Sequence, residues 1–309
     1  MGPDPTSAIF GWMADPPIHV PVLPAEVVHW LNPQPGQIVV DGTLGGGGHT
    51  RLLAKRVAEP GGPQHRGFVI ALDRDPAAIA AAERNLKGLP VQVAQANFCD
   101  LGGVLDELNV DAVDGVLLDL GLSSDQLADD GRGFSFDSAG PLDLRFNTEE
   151  GEPAAKLLVH LEEKELADLI YGYGEERFSR RIARRIVEAR RESPIETAEE
   201  LARLVRHCVP RSADRLDPAT RTFQALRIAI NRELESLELA LARIPDRLKP
   251  GGRLAIISFH SLEDRRVKEA FRSDERLEAL TKKPIRATLE ELHRNPRSAS
   301  AKLRVAQCR

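Results

Sequence analysis

The 309-residue chain has few of the groups that staple, anchor or metallate a protein. Its three cysteines, Cys99, Cys208 and Cys308, are odd in number, far apart and form no Cys-x-x-Cys pair. That excludes a disulfide framework or zinc knuckle and fits a reducing, cytoplasmic compartment. The eight histidines are scattered and lack a His-Glu-x-x-His arrangement, so no metal site is expected. No apolar run approaches the roughly 18 residues of a membrane span. The N-terminus has no basic region followed by an apolar core, which excludes a secretory signal. Residues 1–18, rich in proline, read as a disordered leader. No internal repeat is visible. Neither charge sign dominates: 42 Lys+Arg against 47 Asp+Glu give a net charge of −5. This balance excludes an indiscriminate nucleic-acid coat but says nothing about local patches.

The length suggests about two domains. From Gln37 onward, short β-type runs near 38–40, 68–72, 91–93 and 113–118 alternate with helical stretches. Asp75-Pro76 reads as an N-cap and first helical residue, opening an alanine-rich helix. Such alternation predicts an α/β fold, a parallel sheet with helices on both faces. Right-handed crossovers then put every strand's C-terminal end on one edge, where ligands bind. The rhythm breaks after Leu122. Helical stretches near 153–171, 175–192 and 197–207 follow without an intervening strand, the last opened by the capping box Thr197-x-x-Glu200. Asp217-Pro218 is expected to start a long helix reaching Leu248, followed by a strand at 253–259, a helix from Ser261 to about Phe271 and a last strand near 302–306. The expected organisation is an α/β domain over 19–125 that resumes over 217–309, interrupted by an all-helical insertion over 126–216.

Several absences narrow the chemistry of the strand edge. Asp41-Gly42-Thr43-Leu44-Gly45-Gly46-Gly47-Gly48-His49 lies between the first strand and its helix, where glycines let backbone approach a ligand. No Gly-Lys-Ser/Thr ends it, so it is not a phosphate-binding P-loop, and Gly-x-Gly-x-x-Gly occurs in no register. Asp73 ends the second strand, and because Asp75 is the better helix cap, Asp73 is free to accept from ribose hydroxyls. Phe98 follows the third strand, where its ring can cover an adenine or simply pack in the core. Asp119 ends the fourth, facing the reacting end of a cofactor. A nicotinamide dinucleotide would want the missing glycine spacing. A short-chain dehydrogenase would also need Tyr-x-x-x-Lys, but Tyr171 and Tyr173 are followed four residues on by Glu175 and Arg177. S-adenosylmethionine carries no phosphate, and its sulfonium and amino-acid end suit carboxylates such as Asp41 and Asp119.

A resemblance then becomes specific. It is carried by His19-Val20-Pro21-Val22-Leu23, the glycine loop, Asp73-Arg74-Asp75-Pro76 and Leu117-Leu118-Asp119-Leu120-Gly121-Leu122-Ser123-Ser124 with Gln126. Arg132-Gly133-Phe134-Ser135-Phe136, Gly140-Pro141-Leu142-Asp143-Leu144-Arg145 and Tyr173-Gly174-Glu175-Glu176-Arg177-Phe178 continue it. Pro218-Ala219-Thr220-Arg221-Thr222-Phe223-Gln224-Ala225-Leu226-Arg227, Ile257-Ser258-Phe259-His260-Ser261-Leu262-Glu263-Asp264-Arg265 and Asn295-Pro296-Arg297-Ser298 complete it. In order, from about residue 19 to 307, the chain resembles the bacterial ribosomal RNA small subunit methyltransferase H family. The resemblance implies a class I S-adenosylmethionine-dependent methyltransferase (Rossmann-like) sheet with an inserted helical domain. It also implies methylation of the exocyclic N4 of a cytidine in the decoding region of 16S ribosomal RNA. Its cofactor contacts fall on Gly47, Gly48 and His49, on Asp73, on Phe98, and on Asp119 and Gln126; Asp41 and Gly45 belong to the same loop. The chain differs from the family in its N-terminal leader and in a shorter segment between Arg272 and Asn295.

Basic residues cluster despite the acidic average. Residues 177–191 hold seven arginines against one glutamate, and 281–309 hold eight Lys+Arg against two Glu. Phe178, Ile182 and Ile186 pack one helix face and leave arginines outward, either as a solvated face or as a track for RNA phosphates. Arg181, Arg184 and Arg185 are the candidate contacts to 16S rRNA, with Asn231 on the long helix as a further substrate contact. The target amine is a poor nucleophile, so transfer mainly requires alignment. Asp119 and the Ser258–His260 turn are the candidate acceptors beside it. His260 reads equally well as a structural histidine.

Overall fold

A computed structural model describes residues 21–58, 67–136, 138–210 and 217–309; the expected leader lies outside them. Seven strands form one sheet: β1 (Ile38–Asp41), β2 (Phe68–Asp73), β3 (Val91–Gln95), β4 (Val113–Asp119), β5 (Leu248–Ser258), β6 (Leu277–Ala279) and β7 (Lys302–Cys308). Their order is β3-β2-β1-β4-β5-β7-β6. The first five run parallel, β7 runs antiparallel to β5, and β6 antiparallel to β7. This is the doubly wound sheet with a reversed strand near one edge that the class I methyltransferase reading requires.

The period-two alternation of the strands assigns side chains to opposite faces. Val40, Val116, Leu118, Leu254 and Ile256 face one core, against α4 (Leu101–Glu107), α11 (Glu233–Arg243) and α12 (Ser261–Ser273). Val39, Leu117, Ala255 and Ile257 face the other, against α1 (Pro24–Leu31) and α2 (Gly48–Val57). Helix α3 (Pro76–Asn85) closes the β2 side through Ala82, which packs with Leu44 and Ala71. Asp75 caps that helix as expected, accepting from the Ala77 N–H at 2.9 Å. No helix among the described residues is long and apolar enough to cross a membrane.

A separate core lies in the helical segment, where α5 (Ser124–Ala128), α6 (Ala154–His160), α7 (Glu163–Gly174), α8 (Ser179–Glu192) and α9 (Ala198–Cys208) follow β4. The stretch expected to be one helix near 153–171 is two. Leu161 is extended, and Glu162 and Glu165 form a capping box that restarts the helix. The helix expected to run from 217 to Leu248 is also two, α10 (Thr220–Asn231) and α11, broken at Arg232 with φ 52°. The break has a packing reason. Phe223 and Leu226 of α10 belong to the helical core, while Leu237, Ala240 and Leu241 of α11 belong to the sheet. A straight helix could not present its apolar stripe to both. The helical core therefore continues past position 216 through α10. A short helix, α13 (Leu289–Arg294), precedes β7.

Close contact between α7 and α10 leaves no room at Gly174, where an added Cβ would lie 2.4 Å from the Arg221 carbonyl oxygen. Gly172, two residues earlier on the same helix, has nothing within 4 Å of an added Cβ. Gly174→Ala is expected to destabilise the protein by about 1–3 kcal/mol. Gly172→Ala should be neutral or stabilise by up to about 1 kcal/mol. Chemical denaturation of the two variants reads the difference; equal effects would contradict the packing described.

Candidate active site

Three neighbouring parallel strands, β2, β1 and β4, each end in an aspartate: Asp73, Asp41 and Asp119. The glycine loop after β1 is stitched to all three ends. Asp41 is fully buried and accepts from the Thr43 N–H at 3.2 Å and the Thr50 hydroxyl at 2.6 Å. Gly42 N–H donates to the Leu117 carbonyl, and Leu44 N–H to that of Leu72. Gly45 N–H donates to Asp73 at 2.8 Å, and the Thr43 hydroxyl accepts from the Asp119 N–H at 2.6 Å. Two glycines meet a conformational demand here. Gly45 has φ 47°, and Gly47, which opens α2, has φ 77°.

The loop forms one wall of an open cleft on the strand edge. Gly45, Gly48, His49, Asp73, Phe98, Asp119 and Gln126 all line it. Asp41 and Gly47 stand behind the wall and act by shaping it. Asp73 accepts from the Asp75 and Gly45 N–H groups. Burial outweighs those bonds and, with the charges of Asp75 and Asp41, pushes its carboxyl up to about 6. Gln126, in a capping box with Ser123, donates to Asp75 at 3.2 Å, so it joins the Asp73 turn to the loop after β4.

At the other end, buried His49 places Nε2 3.5 Å from Asp119 Oδ2, too long for a good hydrogen bond. Both His49 ring nitrogens and Asp119 Oδ1 are buried without a hydrogen-bond partner. Burial opposes a charge on His49, but the carboxylates of Asp119 and Asp41 outweigh it and lift the imidazole above its ordinary range. Unsatisfied buried polar atoms beside an open cleft mark where a ligand's polar groups go. An adenosyl sulfonium fits these residues: Asp73 for ribose hydroxyls, Phe98 for an adenine face, and Asp119 for positive charge or an amine hydrogen.

Other expected residues are placed differently. Ser258 is buried outside the cleft lining and its hydroxyl donates to the Lys302 carbonyl at 3.4 Å. His260 is the N-cap of α12. Its Nδ1 accepts from the Glu263 N–H at 3.4 Å, and its Nε2 lies 3.1 Å from a Glu263 oxygen. Glu263, not His260, reaches the cleft wall. Burial would raise the Glu263 carboxyl, but His260, the Phe259 N–H and Arg227 hold it below the usual range. Asn231 is buried and does not line the cleft. Its amide donates to the Leu144 and Arg227 carbonyls and accepts from the Phe146 N–H at 2.8 Å. It thereby sets Phe146 into the cleft wall rather than meeting a ligand itself. Arg181, Arg184 and Arg185 sit on the exposed face of α8, away from the cleft; Arg184 lies 3.6 Å from Glu163 and Arg185 3.6 Å from Glu188.

Residues not singled out individually from the sequence complete the wall: Thr43, Phe146, Glu233, Glu263 and Arg297. Arg132 supports it from behind. Its buried guanidinium pairs with Asp75 at 2.5 Å and Asp129 at 2.7 Å, tying the helical segment's entry to the Asp73 turn. Arg132, Glu263 and Arg297 all fall inside the quoted motifs, which was the available signal.

The MraW methylase family, compared as a family model, matches residues 17–309. The chain is 51% identical over 311 aligned residues to the ribosomal RNA small subunit methyltransferase H of Rhodopirellula baltica, covering 98% of this chain and 95% of that protein. It is 49% identical to the protein of the same name from Pelobacter propionicus, covering 94% and 98% respectively. The one from Deinococcus deserti is 50% identical, with 94% and 93% covered.

Asp73 yields a pH prediction with opposite signs for folding and binding. Its folded pKa of about 6 lies above the ordinary value, so the folded chain holds that proton more firmly. The Asp73 contribution to stability is therefore fully present at acid pH and is lost as pH rises through about 6. Adenosyl binding runs the other way, because the neutral acid is a poorer acceptor. Affinity for S-adenosylhomocysteine should fall several-fold between pH 7.5 and 5, with an inflection near 6, by titration calorimetry. A flat profile would contradict the ribose role of Asp73.

Proposed function

The chain belongs to the MraW methylase family, and from that premise we propose that it transfers a methyl group from S-adenosylmethionine to the exocyclic N4 of a cytidine in the decoding region of 16S ribosomal RNA. The observation that carries the cofactor reading is the strand-edge cleft in which Asp73, Phe98 and Asp119 converge on the glycine loop, with His49 and Asp119 Oδ1 buried and unpartnered. The motif resemblance carries the N4-cytidine reading. Gln126 and Gly48 complete the cofactor-holding wall, with Asp41 keeping the loop in place.

The cofactor, when bound, supplies a methyl carbon already activated by a positively charged sulfur. What remains for the chain is to align a weak nucleophile, exclude water and take a proton. The cytosine amine has its lone pair delocalised into the ring, so an acceptor beside it both orients it and relieves the charge that develops on nitrogen. Asp119 fills that position at the end of β4, with one oxygen free of partners. His49 Nε2 lies 3.5 Å from its other oxygen. The target base must leave its stack to reach such a recess. The helical segment carries the α8 arginines, which would track phosphates of the rRNA within the small subunit, with the basic tail as the other side of the clamp.

The experiment is methyl transfer from labelled S-adenosylmethionine to small subunits from cells lacking the modification, followed by nucleoside analysis. N4-methylated cytidine is expected. A different labelled nucleoside, or no label, would overturn the reading. Asp119→Asn should lower the single-turnover transfer rate by about 10²-fold or more; a near-normal rate would remove Asp119 from the mechanism. Charge reversal at Arg181, Arg184 and Arg185 should raise the KM for RNA while leaving cofactor affinity intact; unchanged RNA binding would contradict the phosphate role.

A further inference from the structure

Two guanidiniums line the cleft, those of Arg74 and Arg297, and among the described residues neither forms an ion pair with a carboxylate. Arg297 sits in the short 3-10 turn Pro296–Ser300 between α13 and β7 and reaches across to the loop after β4. Its two terminal nitrogens donate to the Leu122 carbonyl and the Ser124 hydroxyl. Both partners are neutral, and among the described residues no carboxylate forms an ion pair with it. The contrast with other enclosed arginines is chemical. Arg132 pairs with Asp75, Arg227 with Glu233 at 2.8 Å, and Arg304 with Asp264 at 2.7 Å. Burial pulls the Arg297 guanidinium below the ordinary arginine range, with Asp119 and Asp125 pulling weakly the other way.

The support beneath Arg297 is rigid. Ser298 and Ala301 are fully buried, and the Ser298 hydroxyl donates to the Asn295 carbonyl at 2.7 Å. Upstream, Glu291 accepts from the Leu23 N–H at 2.6 Å, tying the tail to the start of α1. Two guanidiniums line the cleft, and they lie at opposite ends. Arg74 follows Asp73 and donates to the Asn231 carbonyl at 2.7 Å, whereas Arg297 lines the wall with Asp119, Gly121 and Ser123. A partly buried cation on the cleft wall, held in place by two neutral acceptors rather than by a carboxylate, is built to meet an anion.

We propose that Arg297 is the oxyanion contact of the cleft, binding a carboxylate or phosphodiester at the end opposite Asp73. This rests on the proposed function, which offers two sources of that chemistry. One is the α-carboxylate on the amino-acid end of the methyl donor, and the other is the backbone phosphate of the target nucleotide. Either places a negative group near the Asp119 end, where the Arg297 guanidinium offsets its repulsion from the carboxylates.

The test uses the full chain and the variants Arg297→Gln and Arg297→Lys. S-adenosylhomocysteine and 5′-methylthioadenosine, which lacks the amino-acid end, are titrated by calorimetry, and the KM for small-subunit RNA is measured alongside. A tenfold or greater loss of S-adenosylhomocysteine affinity in Arg297→Gln, with 5′-methylthioadenosine unchanged and partial recovery in Arg297→Lys, supports the proposal with the cofactor carboxylate as the anion. Unchanged binding of both nucleosides with a tenfold or greater rise in the RNA KM supports it with the phosphodiester. Unchanged S-adenosylhomocysteine affinity and unchanged RNA KM overturn it. So does an equal loss of both nucleosides, which would mean that Arg297 only holds the loop. Wild-type protein that binds neither nucleoside would instead defeat the cofactor reading, and the Arg297 assignment with it.

Discussion

Three carboxylates crowded onto one sheet edge set the terms for everything around them. Asp41, Asp73 and Asp119 end adjacent parallel strands. Two of them are held by backbone and hydroxyl donors, Thr43 N–H and the Thr50 hydroxyl on Asp41 and Gly45 and Asp75 N–H on Asp73, while Asp119 Oδ1 has no partner. Burial raises the Asp41 and Asp73 carboxyls, which shows that these bonds do not fully offset the loss of water. His49 Nε2 lies 3.5 Å from Asp119 Oδ2, and neither ring nitrogen has a close hydrogen-bond partner. An edge arranged this way is completed by a ligand bearing hydroxyls and positive charge, and an adenosyl sulfonium carries both.

The rest of the chain encloses that edge. The helical segment has its own apolar core, and two polar ties fix it over the cleft. Asn231 holds Leu144 and Phe146, and Arg132 joins Asp129 to Asp75 beside the Asp73 turn. The left-handed residue Arg232 lets one stretch of chain pack first on the helical core and then on the sheet. The tail closes the remaining side through Arg297 and through Glu291 on Leu23. A fold assembled from segments so far apart in sequence lines a single recess with residues from both cores and the tail.

The strand edge was legible in the sequence because parallel-sheet topology converts position into proximity. Once Asp41, Asp73, Phe98 and Asp119 are read as strand ends, they must lie together. Side-chain direction was not legible. Asn231 and Ser258 lie close in sequence to wall residues such as Glu233 and Phe259, yet both turn inward to backbone carbonyls. His260 has the residue type of an acid–base group, but the capping geometry of α12 uses its nitrogen instead. The break at Arg232 carried no glycine or proline, and helical periodicity ran on through it. Arg297 is separated from Asp119 in sequence by the whole helical segment and two strands, so only the folded chain shows that it lines the cleft.

The central claim is that the aspartate-tipped edge is an adenosyl site closed by both the helical segment and the tail. Amide hydrogen exchange of the full chain with and without S-adenosylhomocysteine tests it most directly. The account predicts new protection at the glycine loop, at the Asp73 turn, at residues 119–124 and at the 3-10 turn carrying Arg297, with α8 unchanged. Protection confined to the helical segment, or none at saturating ligand, would contradict it.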